Sequence, residues 1–233
     1  MTGRSEGTGG LLLAVDTTGE RCSACVFDAG SAKVLSAAEP EIGKGHAERL
    51  MGVLDEVLAG ANASYRDLSR MAVAVGPGSF TGIRVGVSTV RGLALALGIP
   101  AIGVDVLEAL AHPHLRDARP VLAVQDARRG EVYAALYRSD GSALRAPTAL
   151  PPDGLAAFVE ASQAGALSIV GSGARIAAER LPNARIVADR AEASIESVAR
   201  IAAARAPGGP VRPLYLRQAD AKPSAAPRLV HAT

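Results

Sequence analysis

The sequence predicts an α/β protein of two similar lobes, each a mixed β-β-β-α-β-α unit whose sheet is covered by helices. Three observations carry that prediction. Short apolar or alternating runs are interleaved with longer segments whose apolar residues recur every three or four positions. The order of elements read from Leu11 onward begins again near residue 120. In both halves a glycine turn follows a short apolar strand, "GPGSF" at 76–80 and "GSGA" at 171–174.

The elements follow in order. Residues 1–10 read as a disordered leader, and residues 11–105 as the N-terminal lobe. "LLLAVDT", "RCSACVFD" and "KVLSAAE" are its first three strands, with "TTGE" and "AGSA" as turns. In "GHAERLMGVLDEVLAGA", Ala47, Leu50, Met51, Leu54, Val57 and Leu58 mark the apolar face of a helix that ends near Gly60. "MAVAV" is a short buried strand, Phe80 to Leu97 a second helix stopped by "GIP", and "AIGV" the strand after it.

Residues 106–218 form the second lobe. "PVLAVQDA" and "GEVYAALYRSD" predict an antiparallel pair, with "ALRAPTAL" as a third strand. A helix opens at "PPDGL" with proline in its first turn. "ALSIVGSGA" is a strand running into a glycine turn; then come the helix "RIAAERL", the strand "RIVAD" and a helix that Ser194 caps. That last helix is a candidate to pack back on the first lobe. Residues 219–233 read as a flexible tail.

Composition narrows the functional classes. The 233 residues are 48% hydrophobic and 21% charged, as expected of a globular protein. Aromatics are only 3% and tryptophan is absent, so aliphatic side chains must build the core. A net charge of +2 is too small to make the whole molecule a trap for nucleic acid. No apolar run approaches the 18 residues or so of a membrane span, and the short run after Gly10 is no signal-peptide core, so the expected location is cytoplasmic. Cys22 and Cys25 stand three apart on a strand and therefore face opposite sides, which excludes a disulfide between them there.

Several motifs bear on chemistry. Asp16 and Thr17 end the first strand, where a carboxylate serves either a nucleotide-bound metal or a turn. In "GPGSFTGIR", Gly76 and Gly78 permit backbone angles closed to other residues, and Ser79 is a natural N-cap whose helix start exposes N–H groups to an anion. It is neither a Walker A loop nor a GxGxxG fingerprint. Gly78, Gly82 and Gly86 also leave a bare stripe that suits close packing. Phosphate binding and packing both remain open, and Gly171 and Gly173 pose the same choice in the second lobe. Asp126, Arg128, Arg129 and Glu131 surround a tight turn, either a contact for an anionic ligand or partner or a solvated hairpin tip. No GxSxG elbow or HExxH helix is present.

"LAVDTT", "HAERLMGVLDEVL", "GPGSFTGIRVGVSTVRGLALALGIPAIGV", "DARRGEVY" and "RPLYLRQAD" together resemble the TsaB (YeaZ) family of tRNA threonylcarbamoyladenosine biosynthesis. The resemblance spans about Leu11 to Ala219. It implies the two-lobed fold of actin, sugar kinases and heat-shock chaperones. It also implies a non-catalytic subunit that pairs with a TsaD-like catalytic subunit and a TsaE-like ATPase, forms a homodimer alone, and meets tRNA only through the complex. TsaD-like sequences carry a metal motif where this chain has "DVLEALAH"; Val106 and Leu110 stand at the positions of its two histidines, and neither has a lone pair to offer. His112 lies too far round the helix to substitute.

The resemblance therefore implies no metal and no tightly bound cofactor, with any nucleotide confined to a shared complex interface. The glycine loop becomes a vestigial phosphate loop. The partner interface it implies comprises His46, Arg49, Leu50, Val53, Gly82, Arg84, Gly86, Val87 and Arg91. The rival classes are an ATPase or phosphotransferase using Asp16, Ser79 and Gly171–Gly173, a glycoprotease-like peptidase, and direct tRNA contact through Arg200, Arg205, Arg212 and Arg217.

Overall fold

The computed structural model describes residues 10–116, 119–190 and 192–217. The predicted leader, except Gly10, and the predicted tail lie outside them. In the first lobe β1 (Leu11–Asp16), β2 (Ser23–Asp28) and β3 (Lys33–Ala38) form an antiparallel meander. Helix α1 (His46–Gly60) returns the chain to β4 (Leu68–Gly76), parallel to β1, and α2 (Phe80–Leu97) leads to β5 (Ala101–Asp105), parallel to β4. The sheet order is β3-β2-β1-β4-β5.

The second lobe repeats this plan. Strands β6 (Val121–Asp126), β7 (Val132–Tyr137) and β8 (Ala143–Leu150) form the meander; α4 (Leu155–Glu160), β9 (Ser168–Val170), α5 (Ala174–Arg180) and β10 (Arg185–Ala188) follow. The order β10-β9-β6-β7-β8 matches the first sheet strand for strand. The two-lobed α/β prediction is borne out.

Two helices join the lobes by exchange. α3 (Val106–Ala111) follows the first sheet yet packs on β6 and β7, while α6 (Ile195–Ala204) follows the second sheet and packs on β1 and β2. Periodicity does not reveal α3, because six residues are too few to show a period. Asp105 caps it by accepting from the N–H groups of Leu107 (2.7 Å) and Glu108 (3.4 Å), and Ser194 caps α6 by accepting from Ser197 N–H (3.2 Å).

Strand alternation decides which core each side chain joins. Leu12, Ala14, Cys25 and Phe27 face the layer of α3 and α6 between the sheets, whereas Leu13, Val15, Cys22 and Val26 face α1 and α2. The two cysteines thus sit free in different cores, and burial pushes the Cys25 thiol up to about 12. Truncating a fully buried leucine such as Leu12 to alanine would cost about 2–5 kcal/mol.

Helix α2 is long and apolar enough to cross a membrane by length and composition, contrary to the sequence expectation. Its Ile83, Val87, Val90 and Ala94 are buried in the first-lobe core. The buried stripe of α1 is His46, Leu50, Val53, Leu54, Val57 and Leu58; Ala47, in the first turn, and Met51, expected inside, are exposed.

Candidate functional site

A cleft of about 1060 Å³ opens between the lobes, lined by the β1–β2 turn, the glycine turn after β4, the end of β6, Ser172 and the loop before α6. Asp16 is buried at the end of β1. Its Oδ1 accepts from Thr18 N–H (2.8 Å) and the Thr18 hydroxyl (2.7 Å), and burial raises its pKa. The carboxylate is therefore fixed as the anchor of the turn.

The neighbouring Thr17 is fully buried, and its hydroxyl donates to the Gly82 carbonyl across the strand–helix gap (2.7 Å). Ser79 N–H donates to the Thr18 carbonyl (2.7 Å), and Ser79 Oγ caps α2 by accepting from Gly82 N–H (3.3 Å). The glycine stripe is filled by this same turn. A Cβ on Gly78 would lie 2.5 Å from the Thr18 carbonyl oxygen, one on Gly86 2.5 Å from Thr17 Oγ1, and one on Gly82 would overlap the Thr17 carbonyl. One on Gly76 would lie 2.7 Å from the Leu214 carbonyl oxygen.

The second lobe shows the same arrangement. Gly171, at φ +101°, passes directly over the Val124 carbonyl of β6, and Gly173 N–H donates to that oxygen (3.0 Å). In each lobe the turn after the fourth strand is thus pressed on the end of the first. At Gly76, Gly78, Gly171 and Gly173 an added Cβ would meet neighbouring atoms at 2.8 Å or less.

Several of the cleft's other backbone donors are engaged. Glu192, from the loop before α6, accepts from the N–H groups of Glu20 (2.7 Å) and Arg21 (3.1 Å), and its other oxygen pairs with Arg21 Nε (3.2 Å). Asp126 Oδ1 accepts from Arg128 N–H (2.8 Å). The lining holds five carboxylates (Glu20, Glu39, Glu41, Asp126, Glu192) against three arginines (Arg21, Arg128, Arg190). Val106 and Leu110 are buried between the lobes, and burial lowers the pKa of the half-buried His112. No group of three or more His, Cys, Asp or Glu suited to a metal occurs among the described residues.

The interface residues read from sequence divide sharply. Leu50, Val53, Val87 and His46 are buried, and Gly82 and Gly86 are covered by Thr17, so a partner cannot reach them in the folded chain. Arg49, Arg84 and Arg91 are exposed. The large apolar side chains left exposed on these two helices are Met51 (43%), Phe80 (39%) and Leu95 (84%). Adjacent residues in a helix point to different faces, so periodicity alone could have separated Leu95 from the buried Ala94.

Three of the four C-terminal arginines are held in ion pairs, and Arg212 is exposed. Arg200 pairs with Glu196 (2.7 Å), Arg205 with Glu108 and Arg217 with Glu131. Of these, Arg217 alone reaches a second pocket, of about 700 Å³, between the first-lobe glycine turn and the Arg128–Arg129 hairpin tip.

The family model described as TsaD, tRNA N6-adenosine threonylcarbamoyltransferase, matches residues 38–171, more than half of the chain. A Pseudomonas aeruginosa protein described as similar to the peptidase YeaZ superposes with a TM-score of 0.72 at 32% identity, covering 89% of this chain and 100% of that one. YeaZ from the same organism gives a TM-score of 0.67 at 31% identity, covering 83% and 90%.

The chain belongs to the TsaB (YeaZ) family.

The Escherichia coli relative, "tRNA threonylcarbamoyladenosine biosynthesis protein TsaB", is 37% identical over 131 residues, 55% of each chain. The match thus spans about half the length of that TsaB protein.

Proposed function

We propose that this chain is a non-catalytic subunit in the formation of N6-threonylcarbamoyladenosine beside the tRNA anticodon. In this reading it acts in the cytoplasm by docking a TsaD-like catalytic subunit, with a TsaE-like ATPase joining the assembly. Alone it pairs with a second copy of itself, and tRNA meets it through the complex.

One observation carries the docking role. The outer face of α1 and α2 leaves Met51 and Leu95 in solvent, and a Cβ added to Gly52 or Gly92 beside them would meet nothing within 4 Å. Large apolar side chains next to small residues on two adjacent helices suit close approach by another helix pair. Arg49 and Arg91 stand on the same helices, where rim charges select a partner more than they add affinity.

The non-catalytic reading is supported by the cleft. A triphosphate entering it would meet a majority of carboxylates and backbone amides already bonded to Glu192, Thr18 and Asp126. That lining supports placing any nucleotide at a shared interface with the catalytic subunit.

The test is calorimetric titration of the TsaD-like subunit with wild type and with Met51→Glu/Leu95→Glu. Wild type should associate, and the double variant should bind at least about a hundred-fold more weakly with its fold retained, as expected when charges enter an apolar interface core. Undiminished binding by the variant removes this face from consideration. Leu50→Glu and Val87→Glu are unsuitable probes, because both positions lie in the core.

A further inference from the structure

Next to the glycine turn, three sequence motifs that are far apart in the chain converge on one surface. The segment Leu214–Arg217 runs beside the end of β4, with Leu214 N–H donating to the Val75 carbonyl (2.8 Å). This places Tyr215 against the first turn of α2. The Phe80 and Tyr215 rings lie 4.9 Å apart, and the Arg84 guanidinium lies 3.9 Å from the Phe80 centroid and donates through Nε to the Tyr215 hydroxyl (3.0 Å). Phe80 and Tyr215 nevertheless remain 39% and 42% exposed.

In a chain with 3% aromatic residues, two half-exposed rings held around an arginine are an uneconomical use of apolar surface unless something stacks on them. The opposite wall of the 700 Å³ pocket is the β6–β7 hairpin tip. There Arg128 and Arg129 both adopt left-handed backbone (φ +60° and +56°). Consecutive non-glycine residues in that region are strained, and such strain persists at sites that use it. The Arg128 side chain is 84% exposed and pairs with Asp126 at 3.9 Å. Deeper in, Arg217 lies over the Tyr133 ring (5.9 Å) and pairs with Glu131.

We infer that this pocket binds a single-stranded segment of RNA. An unpaired base stacks on the Phe80–Arg84–Tyr215 platform, and a flanking phosphate is held by Arg128. Planar aromatic and guanidinium surfaces accept any base face, and single strands present bases that duplexes bury. The arginines of the pocket exceed its neighbouring carboxylates, which places a local positive field on a chain whose overall charge is only +2. The choice of RNA over other single strands rests on the proposed function, whose substrate is tRNA; within that complex the pocket adds a contact of this chain's own to those the catalytic subunit makes.

The experiment is fluorescence anisotropy of the full chain with a labelled single-stranded RNA of about ten nucleotides, the length scale over which single-strand binders track a backbone. The same RNA annealed to its complement serves as the duplex control. The expected result is salt-sensitive binding to the single strand and at least about ten-fold weaker binding to the duplex. Phe80→Ala and Tyr215→Ala should each lose about ten-fold with little change in salt slope, whereas Arg128→Ala should lower the slope by about one. Arg84→Lys keeps the charge and removes the planar stack, so it should also lose affinity while leaving the fold untouched.

Equal binding of single strand and duplex, or aromatic and Arg84→Lys variants that bind like wild type, would mean a plain anion patch and overturn the inference. Absence of binding at low salt overturns it as well. Association of the same variants with the TsaD-like subunit separates the two proposals. RNA binding lost with association intact assigns the site to RNA alone; association without any RNA binding defeats this inference and leaves the docking role standing. RNA binding without association does the reverse.

Discussion

The two lobes share one strand order and one solution to a steric problem, yet they differ in what they build on it. In both, the turn after the fourth strand crosses the end of the first, and glycine is required where backbone meets backbone: Gly78 and Gly82 over Thr17–Thr18, Gly171 over Val124. The first-lobe turn then launches an 18-residue helix capped by Ser79, packed beside the 15-residue α1. The second-lobe turn launches a seven-residue helix with no side-chain cap, beside a six-residue α4. A glycine turn therefore says where a chain crosses itself. Only the first lobe extends far enough beyond the crossing to offer an outer helical face and the Phe80–Tyr215 platform.

The largest effect should come from filling either crossing. Gly82→Ala and Gly171→Ala should each destabilise the chain by about 3 kcal/mol or more, since the neighbouring atoms are backbone carbonyls that cannot swing aside. Chemical denaturation of the two variants would show it. A loss confined to one lobe's glycine would mean that the two crossings are not equivalent.

The two exchanged helices provide a second contrast. Asp105, which caps α3, is pushed up to about 7 chiefly by burial, while Ser194, which caps α6, does not titrate. Because the folded pKa lies above the unfolded one, the folded state binds the extra proton between about pH 4 and 7, and stability falls as pH rises through that window. Wild type should lose about 2 kcal/mol between about pH 5 and 8, and Asp105→Asn, which keeps a capping oxygen, should remove most of that slope. Thermal unfolding of both proteins across that range would check it, and an unchanged slope in the variant would assign the dependence elsewhere.

Smaller effects are expected at the cleft and on the outer face. Glu192→Ala removes an acceptor shared by two amides and should cost about 1–2 kcal/mol in a melting experiment. Gly92→Ala, on the open side of α2, should stabilise by up to about 1 kcal/mol, opposite in sign to Gly82→Ala on the packed side of the same helix.

Much of the fold is legible in the sequence because its signals are local. Both ends of α2 follow from Ser79 as cap and Gly98 in left-handed conformation, and β1 declares itself as a continuous apolar run stopped by Asp16. The site is harder to read because its contacts are distant in sequence. Thr17 fills the glycine stripe from 65 residues away, and Glu192 reaches the β1–β2 turn from 172. No pattern within "GPGSFTGIR" distinguishes a stripe awaiting a partner helix from one already covered. The same holds for Leu50 and Val87, apolar residues on the right helices but on the faces turned toward the sheet.

The most direct test of the claim that these glycine turns serve packing is titration of the purified chain with ATP and Mg²⁺ in the absence of any partner. A packing role predicts no binding heat, because Ser79 N–H is already bonded to the Thr18 carbonyl and the glycine stripe is covered by Thr17 and Thr18. Tight, stoichiometric binding would contradict it and make the Gly76–Ser79 turn a working phosphate site.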